Sequence, residues 1–309
     1  MRPGLCPQYP SSRRALTHAQ FELRIRRRKC GIGYRTGAIM SLYYTLRDAE
    51  RWAAFSGDYN PIHFDAAEAK HLGMEDVCVH GMRAMLEVKL GLSQALEKQT
   101  LSSAGLLFNC RLCEPVLCEQ PYQIALSESQ PKGLQQVSGT LRHAQTQALS
   151  MRSKLGESHA LVLAPATRAN TLGREELSTL FQQFQTVEPQ TAPQWSFYDA
   201  VLFRQLVNAT ETLETVQRII AGHEAARLSD IFRLVRVVQT HHETRFSPLL
   251  LEPASEGSAC EPLHYSVLPT LVMGEKEAGL VLVAGIQAWR ANHPLISVSA
   301  TLKTGPLAE

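Results

Sequence analysis

The chain has 309 residues, enough for two modest domains or one large one, and its hydrophobic content of 44% is ordinary for a soluble globular protein. No apolar run is long enough to span a membrane. The net charge of +2 hides an asymmetry: residues 1–39 hold nine Lys and Arg against one acid, Glu22, so the remainder is mildly acidic, which argues against a nucleic-acid partner.

Residues 1–39 combine Arg24, Arg26, Arg27, Arg28 and Lys29 with scattered Pro, Gly and Ser and little periodicity. A basic, acid-poor leader is compatible with a transit peptide or an anionic surface. The reading favoured here is a disordered extension, with the compact protein starting at Met40. No apolar secretory core is present. The seven cysteines are odd in number, so reduced thiols and a cytoplasmic setting are expected. Cys110-x-x-Cys113 lacks a second pair at zinc-like spacing and reads as buried small apolar residues. No metal and no cofactor are expected.

Residues 40–165 read as one unit. Ser41–Thr45 is a first strand, and Asp48–Phe55 a short helix with Trp52 and Phe55 on one face. Next comes Ser56-Gly-Asp-Tyr-Asn-Pro-Ile-His-Phe-Asp65, which sets Asp58, Asn60 and His63 within six positions around the rigid Pro61. Asp, Asn and Pro also build ordinary turns, so the loop alone is a weak signal. Ala66–Leu72 reads as a helix ending at Gly73. His80-Gly81-Met82 then opens a helix to about Lys98, with Met82, Met85, Leu86 and Leu90 as its buried stripe. Strands are expected at Gly105–Leu112, Gln120–Glu128, Leu134–Arg142 and Ala148–Leu155, broken by Pro115, Pro131–Gly133 and His143–Gln147.

Residues 166–309 repeat this plan loosely. Glu175–Gln185 and Ser196–Ile220 read as helices. Val237–Phe246, Pro262–Pro269, Gly279–Arg290 and Pro294–Thr304 read as strands. No second Asp-x-Asn-Pro-x-His occurs. His241 and His242 would point to opposite faces of a strand, so they read as surface or interface residues.

Residues 56–82, with Ser56–Asp65 followed by Val79-His80-Gly81-Met82, resemble the signature of the MaoC-like (R)-specific enoyl-CoA hydratases. The resemblance implies an α+β hot-dog fold, an antiparallel sheet wrapped around a central helix. With the loose repeat it implies a double hot-dog, 40–165 catalytic and 166–309 degenerate. It implies reversible addition of water to an unsaturated acyl-CoA. Asp58 and His63 resemble the pair that activates the water, Asn60 the residue bracing the loop, and Gly81 the backbone donor to the thioester oxygen. The chemistry suits these types: an acid–base pair can move protons through one water, and a helix N-terminus can hold enolate-like charge.

The acyl group is harder to read. Lys89 lies seven residues after Met82, on the same stripe. It reads either as a cation facing the acyl pocket or as a side chain snorkelling to water. A cationic pocket would suit short dicarboxylic thioesters, and the chain from Met40 is similar to bacterial itaconyl-CoA and mesaconyl-CoA hydratases. Straight-chain 2-enoyl-CoA hydration and thioester hydrolysis are the alternatives. Arg111, Lys132, Arg142, Arg152 and Lys154 are cations available for the CoA phosphates. A homodimer is plausible by analogy alone, and neither a membrane nor a nucleic-acid partner is expected.

Overall fold

The computed structural model describes residues 39–166, 168–188, 192–219 and 235–307. The expectation of a disordered extension over 1–39 falls outside them, except that Ile39 already belongs to the first strand, β1 (Ile39–Tyr43). Helix α1 (Leu46–Ser56) starts where the Asp48 carboxylate accepts from the Thr45 N–H at 2.9 Å, which ties down the first turn. It buries Ala49, Trp52 and Phe55 and ends at Gly57, whose φ of 78° lets its N–H reach the Ala53 carbonyl at 2.8 Å. A 3-10 turn over Pro61–His63 leads to α2 (Ala66–His71), capped by the Asp65 carboxylate on the Ala67 and Glu68 N–H groups.

Helix α3 (Gly81–Leu96) is the core of the first half. The expected stripe of Met82, Met85, Leu86 and Leu90 is buried, but so are Lys89, on the same stripe, and Arg83 beside it. A helix buried almost all round must be wrapped by other elements. The wrapping comes from β2 (Gly105–Leu112), β3 (Pro121–Ser129), β4 (Gln136–His143) and β5 (Leu149–Ser158).

The second half runs β6 (Asn170–Leu172), α4 (Arg174–Val187), α5 (Gln194–Val207), α6 (Thr210–Ile219), β7 (Val237–Phe246), α7 (Glu256–Ala259), β8 (Leu263–Glu275), β9 (Gly279–Arg290) and β10 (His293–Thr304). Three details depart from expectation. The single helix expected over Ser196–Ile220 is two, because the chain leaves helical geometry at Asn208; Ile220 lies outside the described residues. β8 runs on to Glu275, and the three-residue β6 gave too short a pattern to be read.

All ten strands form one antiparallel sheet in the order β1-β3-β4-β5-β2-β7-β10-β9-β8-β6. From the middle outward, each half repeats the same connectivity: β2 corresponds to β7, β5 to β10, β4 to β9, β3 to β8 and β1 to β6. The fold is an α+β double hot-dog. Its seam is the β2–β7 ladder, in register from Leu106 opposite Phe246 to Arg111 opposite His241. Trp195 of α5 locks the seam: its ring stacks on Phe246 at 4.6 Å and packs on Phe108 at 5.2 Å, and its N–H donates to Ser93 of α3 at 3.0 Å. No described helix is long and apolar enough to cross a membrane.

Candidate active site

The loop after α1 is held by its own turns and by the second half. Asn60 accepts from the Ile62 N–H at 3.3 Å, and the Asp58 carboxylate accepts from the Asn60 N–H at 3.2 Å. These are the side-chain turns that Asn and Asp favour. At the end of α5, Asn208 donates to the Ser56 carbonyl at 3.0 Å and Arg204 donates to the Phe55 carbonyl. The last turn of α1, immediately before Asp58, is therefore clamped from across the seam.

Two imidazoles meet over this loop. His63 Nδ1–H donates to the Cys78 carbonyl at 2.7 Å, which leaves Nε2 with a free lone pair. His80 Nε2–H donates to the Asp58 carbonyl at 2.9 Å, and its buried Nδ1 has no hydrogen-bond partner. The rings stack with centroids 3.6 Å apart. Burial lowers the pKa of His63, against the opposing pull of Asp58 and of its bond to Cys78. Burial lowers that of His80 further, helped by His63. Both rings are thus held neutral, and neutral His63 is a base with its lone pair available.

Asp58, His63 and His80 offer ligand atoms within 4.8 Å of one another. One water spans such a gap with two ordinary hydrogen bonds. A single metal ion suits the set less well. The ring planes differ by only 28°, so the in-plane lone pairs run side by side instead of converging on one point.

Gly81 is the first residue of α3, where backbone N–H groups have no partner inside the helix and the dipole favours negative charge. A Cβ at this position would come within 2.5 Å of the Leu112 side chain and 3.7 Å of the Gln239 carboxamide oxygen. Asp58, Asn60, His63, His80 and Gly81 all line one cavity of about 270 Å³. It continues into the second half along Phe203, Val207, Val216, Leu282, Ala284 and Leu302.

Lys89 is not part of this cavity. It is fully buried, and its ammonium pairs with the Asp199 carboxylate of α5, with the Phe108 and Trp195 rings each 5.6 Å away. Neither expectation for it holds: it does not face an acyl pocket, and its amine does not reach water. The reason is a partner 110 positions away on the other central helix. His242, read as a surface or interface residue, is buried on the seam strand β7; its Nε2–H donates to Asp199 at 2.8 Å while His241 faces outward. Thr244 donates to the same carboxylate. Burial works to raise the pKa of Asp199, but His242 and Lys89 hold it well below the ordinary carboxylate range.

The cysteines divide. Burial pushes the Cys78 thiol up to about 12 and Cys110 to about 11, so neither is a ready nucleophile. Cys113, expected to be buried with Cys110, is exposed. Of the basic candidates, Arg111, Arg152 and Lys154 lie on the exposed side of β2 and β5, away from α3.

Sequence reading did not assign a role to His80, although it belongs to the motif, and missed the clamp by Arg204 and Asn208. No local pattern signals a contact made across 149 or 152 positions.

Residues 32–148 match the family described as MaoC like domain. No curated protein sequence matches the chain. Among solved structures, a conserved hypothetical protein of Mycobacterium tuberculosis described as a double hot-dog fold aligns over 88% of this chain and 97% of its own, at 10% identity and a TM-score of 0.49. A MaoC domain protein dehydratase of Chloroflexus aurantiacus aligns over 89% of this chain and 97% of its own, at 10% identity and a TM-score of 0.46. The R-hydratase of Pseudomonas aeruginosa aligns over 42% of this chain and 87% of its own, at 21% identity and a TM-score of 0.29.

Proposed function

We propose that the chain adds water reversibly to the double bond of a 2-enoyl-CoA thioester with an apolar acyl group. The observation that carries this reading is the closeness of Asp58 and a neutral His63 in one cavity with the helix start at Gly81. Asp58 and His63 hold a water between them. As the water oxygen bonds to the β-carbon, His63 Nε2 takes its proton. The π electrons shift toward the thioester, and the negative charge on its oxygen lies against the Gly81 N–H and the α3 dipole. The Asp58–His63 pair then returns a proton to the α-carbon on the same face, which gives net syn addition. His80 holds the Asp58 backbone in place throughout.

The apolar acyl group follows from the cavity walls. A dicarboxylic substrate of the itaconyl or mesaconyl kind would need a cation for its second carboxylate. Lys89, the expected cation, is already neutralised by Asp199. Among the described lining residues Arg236 is the one Lys or Arg, and it is exposed. The second-half walls are mainly aliphatic, which favours a straight hydrocarbon chain.

The test is turnover by the purified full chain on crotonyl-, octenoyl-, mesaconyl- and itaconyl-CoA, with mass spectrometry of the products. Gain of one water, greater on octenoyl-CoA than on the dicarboxylic thioesters, is expected. Asp58→Asn should lower kcat about a hundredfold or more with an unchanged thermal midpoint, and His63→Ala should lower kcat by at least as much in a protein that still folds. Free CoA without hydrated thioester would move the chain to the thioesterases, and preference for itaconyl-CoA would reinstate a charged acyl pocket.

A further inference from the structure

Gln239 is the point where the second half reaches the thioester end of the cavity. It sits on β7, where the ladder to β10 slips: His241 faces Thr301 and Gln239 faces Leu302, so Thr240 is an extra residue. A bulge of this kind re-aims the side chains before it. Regular alternation from the inward His242, Thr244 and Phe246 would turn Gln239 outward with His241. With the extra residue, Gln239 shares the inner face with His242, and its Nε2 lies 3.1 Å from His242 Nδ1.

The rest of the chain of contacts fixes the amide's direction. Lys89 already balances the charge of Asp199, and His242 Nε2–H donates to that carboxylate. The amide nitrogen of Gln239, not its oxygen, faces His242 Nδ1, so the Gln239 NH2 donates to that nitrogen. The carboxamide oxygen is left pointing the other way, near Gly81, on the cavity wall. It is a fixed hydrogen-bond acceptor beside the expected place of the thioester. The thioester group has no N–H to offer it, but the amide-bearing arm beyond the sulfur does.

We infer that Gln239 binds the substrate's arm by accepting a hydrogen bond from an amide N–H, and that His242 and the buried Lys89–Asp199 pair act as positioning residues for it. This rests on the reading of the cavity as a thioester site. It makes the half without an acid–base loop a contributor to that site.

The experiment compares two crotonyl thioesters that differ in one group: the N-acetylcysteamine thioester, which carries the amide N–H, and its O-acetyl mercaptoethanol counterpart, in which ester oxygen replaces N–H. One net hydrogen bond corresponds to about threefold to tenfold in affinity. Gln239→Leu should raise KM for the amide substrate by that factor, leave KM for the ester substrate within about twofold, and change kcat little on either. His242→Leu should give a smaller rise with the same selectivity. An equal rise on both substrates, or no rise on either, would overturn the inference. Calorimetric binding of the matching butyryl thioesters reads the same selectivity without turnover. Selective binding in a chain that hydrates neither crotonyl thioester would sink the hydratase reading and keep this one.

Discussion

The two halves share one layout and divide the labour. The first places the loop Gly57–Asp65, which carries Asp58 and His63, ahead of its central helix α3, and α3 opens with Gly81. The second has α4 before its central helix α5, and α5 carries Asp199 at a fully buried position. The second half has no counterpart of the Asp58–His63 loop, and it supports the one in the first half. Arg204 and Asn208 clamp the turn before Asp58, and aliphatic residues of α5, α6 and the sheet continue the cavity. The comparison teaches that loss of a motif in one repeat does not make it a bystander.

The strongest way to break the comparison is to break the pairing of the central helices. Removing one partner of a buried ion pair costs about 3–5 kcal/mol, because the other charge is left without compensation. Asp199→Leu and Lys89→Met should each lose about that much stability in urea titrations. The double variant Lys89→Met/Asp199→Leu should recover a large part of it. Singles that unfold at the wild-type midpoint would mean that the pair is not the link between the helices.

A milder change sharpens the assignment of the acyl walls. Ala284 lies in β9 and lines the cavity from the second half. Ala284→Phe should cut turnover of octenoyl-CoA about tenfold or more and spare crotonyl-CoA, since filling a pocket by a few carbons is worth about 1–3 kcal/mol in discrimination. Equal losses on both would place the long chain elsewhere.

The smallest effect expected is on pH. The pKa values of His63 and His80 are lowered by burial, so the folded state resists protons that the unfolded chain accepts near its ordinary value of about 6.5. The sign follows: the contribution is full above about pH 6.5 and declines as the pH drops below it toward the folded values. The slope is at most about 1.4 kcal/mol per pH unit for each histidine. Urea midpoints measured between pH 5 and 8 should be flat above neutrality and fall below it. His80→Phe, which keeps a ring against His63, should flatten the acid limb; an unchanged limb would remove His80 from the account.

The first half was legible because its signals are local. The turn at Asn60 and Pro61, the glycine at the start of α3 and the 3- and 4-residue stripe all act within a few positions. Lys89 lay on that stripe, so its burial could be suspected, but its partner sits on another helix. Alternation on β7 put His241 and His242 on opposite faces but did not mark the face of His242 as buried, so both read as surface or interface residues. The direction of Gln239 depends on the slip at Thr240, which leaves no mark in residue type. Ser196–Ile220 read as one helix because apolar periodicity carries on past Asn208, where the side chain turns back to bond the Arg204 and Ser56 carbonyls.

The β2–β7 ladder has a kinetic meaning as well. Where two separate chains build a cleft, its walls meet by a bimolecular step, and dilution can take them apart. Here both walls belong to one polypeptide, and the seam closes as an intramolecular event at a high effective concentration. The cleft between the halves therefore forms at a rate, and persists to an extent, that does not depend on how many copies of the chain a cell contains.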